Sequence, residues 1–141
     1  MTFEELNEVR NLKKHLSLEN KKLEALKVVI GAFPHKYSAS GEGKSAGLAK
    51  STFENFSVQL VDVEKRIEKI QEQLTEAVPR LTNKIQATFT NATEQTLLIY
   101  RYVACKFFRD IGYLMGYSES RVYQLHSKIL KKVQSSIVKY S

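Results

Sequence analysis

The side chains best suited to chemistry in this chain lie in the segment from Phe107 to Val133. Ser118 is a good N-cap, so a helix that begins after it would carry a row of hydrogen-bonding side chains on its outer face. These outward positions are Glu119, Ser120, Tyr123, Gln124 and Ser127. A glutamine can bond the edge of an adenine twice, a glutamate can accept from cytosine, and a serine can do either. The pattern therefore predicts a surface that contacts nucleic acid bases.

The same segment has the residue pattern of a helix-turn-helix. Apolar side chains at helical spacing give both helices a buried face, with Phe108, Ile111 and Met115 on the first and Val122, Leu125 and Ile129 on the second. Gly112 is small where the second helix would pack closest, and Gly116 can adopt the positive φ that the turn requires. An ordinary helical hairpin with a glycine C-cap is the alternative interpretation.

Positive charge is concentrated in this half of the chain. The 141 residues carry 22 Lys and Arg against 15 Asp and Glu, a net charge of +7. Residues 1–79 hold 12 of each sign, so the whole excess lies in residues 80–141. Such an excess attracts polyanions, although a solvated basic surface is the simpler alternative. The candidates for contacts with DNA phosphates are Arg101, Lys106, Arg109, Arg121, Lys128, Lys131 and Lys132.

The first half of the chain carries two heptad patterns. The first runs from about Phe3 to Ile30, with Thr2 and Glu5 as a capping box and Gly31 as a stop signal. Its apolar seam is Val9, Leu12, Leu16, Leu23, Leu26 and Ile30, with Glu19 in the missing position. The second seam is Phe53, Phe56, Leu60, Val63, Ile67, Ile70, Leu74, Ala77 and Leu81. Each stripe must be buried against something, either in an antiparallel hairpin or against a second copy of the chain.

Three further segments complete the expected organisation. Residues 31–51 are predicted to be a flexible loop, and its GEGKS sequence lacks the first glycine and the preceding strand of a nucleotide-binding loop. Pro79 is expected to kink or end the second helix at about Val78. A third amphipathic helix is predicted from Thr93 to Cys105. The predicted fold is all-α, with a helical hairpin or coiled coil over residues 1–79 and a helix-turn-helix domain over residues 80–141.

Other classes of function find little support in the sequence. His15, His35 and His126 have no second ligand at metal-binding spacing, so we expect no metal, no cofactor and no enzyme activity. A lone cysteine, Cys105, fits a reducing compartment. The chain lacks a long apolar run and a secretory leader, so a cytoplasmic protein without membrane contact is expected.

The segment RYVACKFFRDIGYLMGYSESRVYQLHSKILKKV resembles region 4 of bacterial sigma factors. The shared residues are Arg101-Tyr102, Ile111-Gly112, Gly116-Tyr117-Ser118 and Arg121 to Leu125, followed by Lys128 and Leu130. Together with the coiled-coil half, this segment is similar to phage transcription regulators of the RinA and ArpU type. The resemblance implies that the positions of Glu119, Ser120 and Gln124 face bases. This chain has an acid at Glu119, where the family often has a basic residue, and its target sequence therefore need not be the family's.

These observations lead us to expect a sequence-specific DNA-binding transcription regulator encoded by a phage. Its expected partners are double-stranded DNA and a second copy of the chain, joined through the heptad helices to read two half-sites. Two alternatives stay open. One is a DNA-packaging subunit that resembles a phage small terminase. The other is a helical adaptor that engages RNA polymerase, as sigma region 4 does.

Overall fold

The protein is described by a computed structural model of residues 1–32 and 44–140, with side chains placed for 1–32 and 51–133. The described residues form helices and contain no β-strand, which confirms the all-α prediction. In chain order the elements are α1 (Phe3–Gly31), α2 (Lys44–Thr88), α3 (Ala92–Leu98), a π-helix (Ile99–Val103), α4 (Phe108–Met115) and α5 (Glu119–Tyr140).

The ends of α1 follow the predicted signals. The backbone amide of Glu5 donates to Thr2 Oγ1 at 3.1 Å, and the Thr2 amide donates to Glu5 Oε2 at 3.3 Å, so both groups of the capping box are satisfied. The helix ends at Gly31, as expected. The predicted loop over 31–51 is wrong in its last part, because α2 already begins at Lys44. Residues 33–43 lie outside the described residues.

Of the two outcomes expected at Pro79, a kink or an end of the second helix, the end at Val78 is wrong, since α2 continues through Pro79 to Thr88. Pro79 is exposed, so the loss of its backbone donor falls on the solvated side of the helix. On the other side Ala77, Leu81 and Ile85 are at most 3% exposed. Burial of this continuing stripe favours the helical conformation beyond the proline, which explains why a local breaker does not end α2.

The chain forms two compact units. One consists of residues 1–13 and 73–141, and the other of residues 14–72. This division does not coincide with the predicted boundary at 79/80, because the first turns of α1 and the last third of α2 belong with the C-terminal helices. Such long-range packing has no signal in the local composition of the chain.

The first unit is held together by one apolar core. Leu6 and Val9 of α1 and Ala77, Leu81 and Ile85 of α2 are buried in it, together with side chains of every later helix. At the rim, Lys84 Nζ lies 2.7 Å from Glu5 Oε2, and Arg80 pairs with Glu8. The later residue of α1, Glu8, pairs with the earlier residue of α2, Arg80, so the two helices run antiparallel within this unit.

The second unit is the remainder of α1 and α2. Val63, Ile67 and Ile70 of the second seam are buried. Glu19 takes the heptad position that the sequence assigns to it and is itself buried, at 6% exposure. Its Oε2 accepts from Arg66 Nε at 3.2 Å, which ties α1 to α2 across the seam.

The connection to the C-terminal helices has an unusual backbone. Asn91 caps α3 by accepting from the amides of Thr93 and Glu94. The predicted helix to Cys105 changes after Leu98 into a π-helix, which ends when the Ala104 amide donates to the Ile99 carbonyl at 2.9 Å. Cys105 follows with a φ of 57°, in the left-handed region that non-glycine residues rarely adopt.

Candidate nucleic-acid interface

A sharp turn joins α4 to α5, and the residue types at the turn explain it. Gly116 ends α4 with a φ of 75°, as predicted for a glycine at this place. The Tyr117 amide then donates to the Gly112 carbonyl at 2.8 Å. Ser118 begins the next helix, since its Oγ accepts from the Arg121 amide at 3.1 Å. The local geometry is therefore helix, glycine turn and capped helix.

Gly112 is the tightest point of this turn. A Cβ at this position would lie 2.7 Å from the Tyr117 carbonyl oxygen and 3.5 Å from the Glu119 amide nitrogen. We expected the second helix to pack closest to Gly112, whereas the nearest group is the backbone of the turn that leads into that helix. Only glycine fits this distance without a shift of the turn.

The buried faces of α4 and α5 are those that the spacing predicts. Ile111 and Val122 are fully buried, Ile129 is nearly so, and all three belong to the core of the first unit. Phe108, Met115 and Leu125 are half-buried and pack against the same core. The helix-turn-helix segment is thus fixed to the rest of its unit along one side.

The opposite side of α5 carries the predicted base-contacting residues. Helical periodicity places Ser120, Gln124, Ser127 and Lys131 on one stripe, about 180° from the stripe of Val122, Ile129 and Val133. All four residues are exposed, and so are Glu119 and Tyr123. The four side chains predicted for base contacts therefore lie together at the N-terminal end of one helix.

Tyr123 differs from the other three in having an aromatic support. Its ring centroid lies 4.4 Å from that of Phe108, and half of its surface is exposed. Phe108 in turn carries the Arg101 guanidinium, whose central carbon lies 4.1 Å from the ring centroid. Tyr123 is thus held at the edge of the exposed face by α4.

Arg101 is not a freely exposed side chain, as a contact with a DNA phosphate would need. Its Nη1 donates to the Lys106 carbonyl at 3.0 Å, so the side chain bridges the backbone between the π-helix and α4. Its Nε is buried without a hydrogen-bond partner among the described residues. Burial, and then the nearby Arg10, hold the pKa of the guanidinium below its usual value. The geometry gives Arg101 a bracing role in addition to its charge.

The other predicted phosphate contacts divide into paired and unpaired residues. Lys132 forms an ion pair with Glu94 of α3. The residues that are exposed and without an ion pair among the described side chains are Lys106, Arg109, Arg121, Lys128 and Lys131. Arg80 and Lys84 are neutralised by acids of α1. Apart from Arg101, the basic side chains that the structure describes without an ion pair in this half therefore lie on α5, on α4 or just before α4.

His126 is a residue of this site that the sequence did not single out. Its Nε2 lies 2.6 Å from the Tyr102 hydroxyl, and its ring meets the Phe108 ring edge-on at 4.8 Å between centroids. Burial, and then the charges of Arg101 and Arg10, lower the pKa of His126 to about 4. Its position four residues after Val122 and three before Ile129 is the sequence signal that it turns toward the core.

A second surface of the first unit exposes two large hydrophobic side chains. Tyr113 of α4 is 89% exposed and Leu114 is 49% exposed. Leu114 also lines a shallow groove of about 290 Å³, together with Ala92, Thr93, Thr96, Tyr100, Met115 and Tyr117. Exposed apolar groups gathered in one place are typical of contact surfaces.

Comparisons of the chain with protein-family models, with curated proteins and with solved structures gave no match. In the part of the chain that the structure describes, no helix is long and apolar enough to cross a membrane. Among the same residues, no three His, Cys, Asp or Glu side chains come together as metal ligands would.

Proposed function

We propose that the protein is a sequence-specific DNA-binding transcription regulator, encoded by a phage, which reads the major groove with α5. The observation that carries this proposal is the exposed stripe of hydrogen-bonding side chains at the start of α5, directly after a glycine turn. A helix presented in this way fits the width of the major groove of B-form DNA.

The side chains of this face divide by chemistry into two roles. Gln124 is suited to a bidentate contact with adenine, while Ser120 and Glu119 can bond neighbouring base edges. Arg121, Lys128 and the other unpaired basic residues can contact phosphates on either side. Phosphate contacts position the protein on DNA, and base contacts select the site.

One acid stands among these groups and affects what the site selects. Glu119 lies in the first turn of α5, and its side chain is exposed. A carboxylate repels phosphates and accepts hydrogen bonds from the amino group of cytosine. We therefore propose a target that includes a cytosine at the position facing Glu119.

Capture of sequenced genomic fragments by the full-length protein tests the proposal. A regulator enriches sites upstream of genes, and a DNA-packaging subunit enriches a packaging site. If no fragment is enriched, sequence-specific DNA recognition is contradicted and the alternative function, a helical adaptor, is favoured. The exposed Tyr113 and Leu114 are the observation that favours an adaptor function, with RNA polymerase as the partner that the sequence resemblance implies.

We further propose that the protein acts as a homodimer through its heptad helices. Of the seam residues in the first unit, Val9, Ala77 and Leu81 are at most 3% exposed, and Leu12 and Leu74 are half-buried. In the second unit the seam residues Leu16, Leu23, Leu26, Ile30, Phe56 and Leu60 are only half-buried. Two helices alone leave such a seam partly open to water, and a second copy would cover it.

The dimer is tested by size-exclusion chromatography with light scattering. A mass of two chains at micromolar concentration agrees with the proposal, and a mass of one chain contradicts it. A ring of many copies would instead favour the DNA-packaging subunit.

A further inference from the structure

The first turns of α1 contact the end of the π-helix and the side chain that leads from it to α5. We propose that α1 positions the DNA-reading helix through Tyr102, which makes Tyr102 a positioning residue for base recognition. This inference rests on the proposed function, because it concerns how the same face of α5 is held.

The first step of the connection is the contact between α1 and Tyr102. The Arg10 guanidinium carbon lies 5.8 Å from the centroid of the Tyr102 ring, within the range of a cation–π interaction. Tyr102 is only 4% exposed and belongs to the core of the first unit. Its ring therefore has little freedom to move relative to α1.

The second step runs from Tyr102 to α5. The Tyr102 hydroxyl lies 2.6 Å from His126 Nε2, and the two rings stack at 5.7 Å between centroids. Burial raises the pKa of Tyr102, so the hydroxyl keeps its proton. This hydrogen bond joins side chains 24 positions apart in the chain and adds a directional contact to the apolar packing that holds α5.

A second contact from α1 holds the backbone that carries Tyr102. Lys13 Nζ donates to the Val103 carbonyl at 2.7 Å, at the C-terminal end of the π-helix. A cation is favourable at this end of a helix, where carbonyl groups lack backbone donors. Arg10 and Lys13 thus hold the side chain and the backbone of the same short segment.

Rotation of α5 matters because the base-contacting residues are fixed to it. His126 lies two positions from Gln124 and three from Tyr123. The Phe108 ring contacts both the His126 and the Tyr123 rings, so one aromatic cluster supports the edge of the reading face. Base contacts need close placement of the helix, whereas attraction of phosphates tolerates a small rotation.

The variant Tyr102→Phe tests this inference, because it removes the hydroxyl and keeps the ring. We expect the affinity for the specific site to fall roughly three- to ten-fold, while binding to unrelated DNA and the salt dependence stay unchanged. The matched control is Tyr100→Phe on the same π-helix, whose ring lines the open groove. We expect the control to bind both kinds of DNA as the wild type does.

The variant His126→Leu completes a double-mutant cycle with Tyr102→Phe. If the two residues act through their shared hydrogen bond, the double variant is no weaker on the specific site than either single variant. Independent losses that add, or a parallel loss on specific and unrelated DNA with a lower melting temperature, would overturn the inference.

A structural measurement separates this inference from the proposed function. In free protein, Tyr102→Phe should shift the backbone amide resonances of residues 119–127, and Tyr100→Phe should not. If these shifts occur but no specific DNA site exists, the proposed function fails while the connection stands. If the resonances stay at their wild-type positions, the connection itself is contradicted.

Discussion

The Tyr117 amide donates to the Gly112 carbonyl, and the Tyr117 carbonyl oxygen lies 2.7 Å from the point where a side chain at Gly112 would begin. This pair of contacts folds the turn between α4 and α5 onto the last part of α4. The turn in turn determines where α5 starts and which of its side chains are presented to solvent.

The variant Gly112→Ala should therefore destabilise the protein. In an open helix this change usually stabilises by about 0.5–1 kcal/mol. Here the new Cβ would lie 2.7 Å from a backbone oxygen, and we expect a loss of roughly 1–3 kcal/mol in the free energy of urea unfolding. The control is Gly116→Ala, which meets no atom within 4 Å and should lose only about 1 kcal/mol from its positive φ. If Gly112→Ala were as stable as the wild type or more stable, the description of this turn would be contradicted.

The buried Glu19 offers a test of the hairpin. Burial raises its pKa, but hydrogen bonds and charges from Arg66 and Lys22 outweigh this effect and lower it overall. Replacement by leucine completes the apolar seam and leaves Arg66, whose side chain is 48% exposed, in contact with water. We expect Glu19→Leu to raise the unfolding free energy at neutral pH by about 1 kcal/mol.

The pH dependence of this variant follows from the direction of the shift. Because the pKa of Glu19 is lower in the folded protein, the pair stabilises the fold above the ordinary value of 4.5 and less as the pH falls through the folded pKa. The stability difference between Glu19→Leu and the wild type should therefore widen below that pH. A difference that is constant with pH, or a less stable variant at neutral pH, would refute this description of the seam.

His126 should make the first unit sensitive to mild acid. Its pKa is about 4 in the folded protein, against an ordinary value of 6.5. At a pH between these two pKa values, His126 binds a proton in the unfolded chain but not in the folded one. The free energy of unfolding is therefore highest above pH 6.5 and falls as the pH is lowered toward 4. We expect a loss on the order of 2 kcal/mol between pH 7 and pH 5, which His126→Leu abolishes. An NMR titration that places the pKa of His126 near its ordinary value would contradict the prediction.

Lys131 and Lys132 are adjacent in sequence but should contribute differently to DNA binding. Lys131 is exposed on the stripe of Gln124, whereas Lys132 is paired with Glu94. We expect Lys131→Gln to weaken binding to all sequences and to reduce the slope of log affinity against log salt by about 0.9. Lys132→Gln is the control, and its effect should be less than half as large. Equal slopes for the two variants would show that the ion pair with Glu94 does not direct Lys132 away from DNA.

The extent to which this fold follows from its sequence depends on the range of the interactions. The capping box of α1, the turn at Gly116 and the cap at Ser118 were predicted, because each depends on residues a few positions apart. The passage of α2 through Pro79 was not, since burial against distant helices decides it. The same holds for the π-helix and for the left-handed Cys105.

The candidate site shows the same limit. Spacing along one helix predicted that Glu119, Ser120, Tyr123 and Gln124 would be exposed together. The partners of Arg101, Lys132 and His126 lie on other elements, so no local pattern could reveal which charges are engaged. The inclusion of Arg10 in the same unit is likewise a result of tertiary packing alone.

Selection of binding sites from random DNA by the wild type and by Gln124→Ala tests the central claim most directly. The claim predicts that the variant loses the base preference at one position, by about ten-fold or more, while its affinity for unrelated DNA is unchanged. Gln59→Ala, which removes an exposed glutamine of the second unit, should select the wild-type site. If Gln124→Ala also selects the wild-type site with the same preference, α5 does not read DNA through the face described.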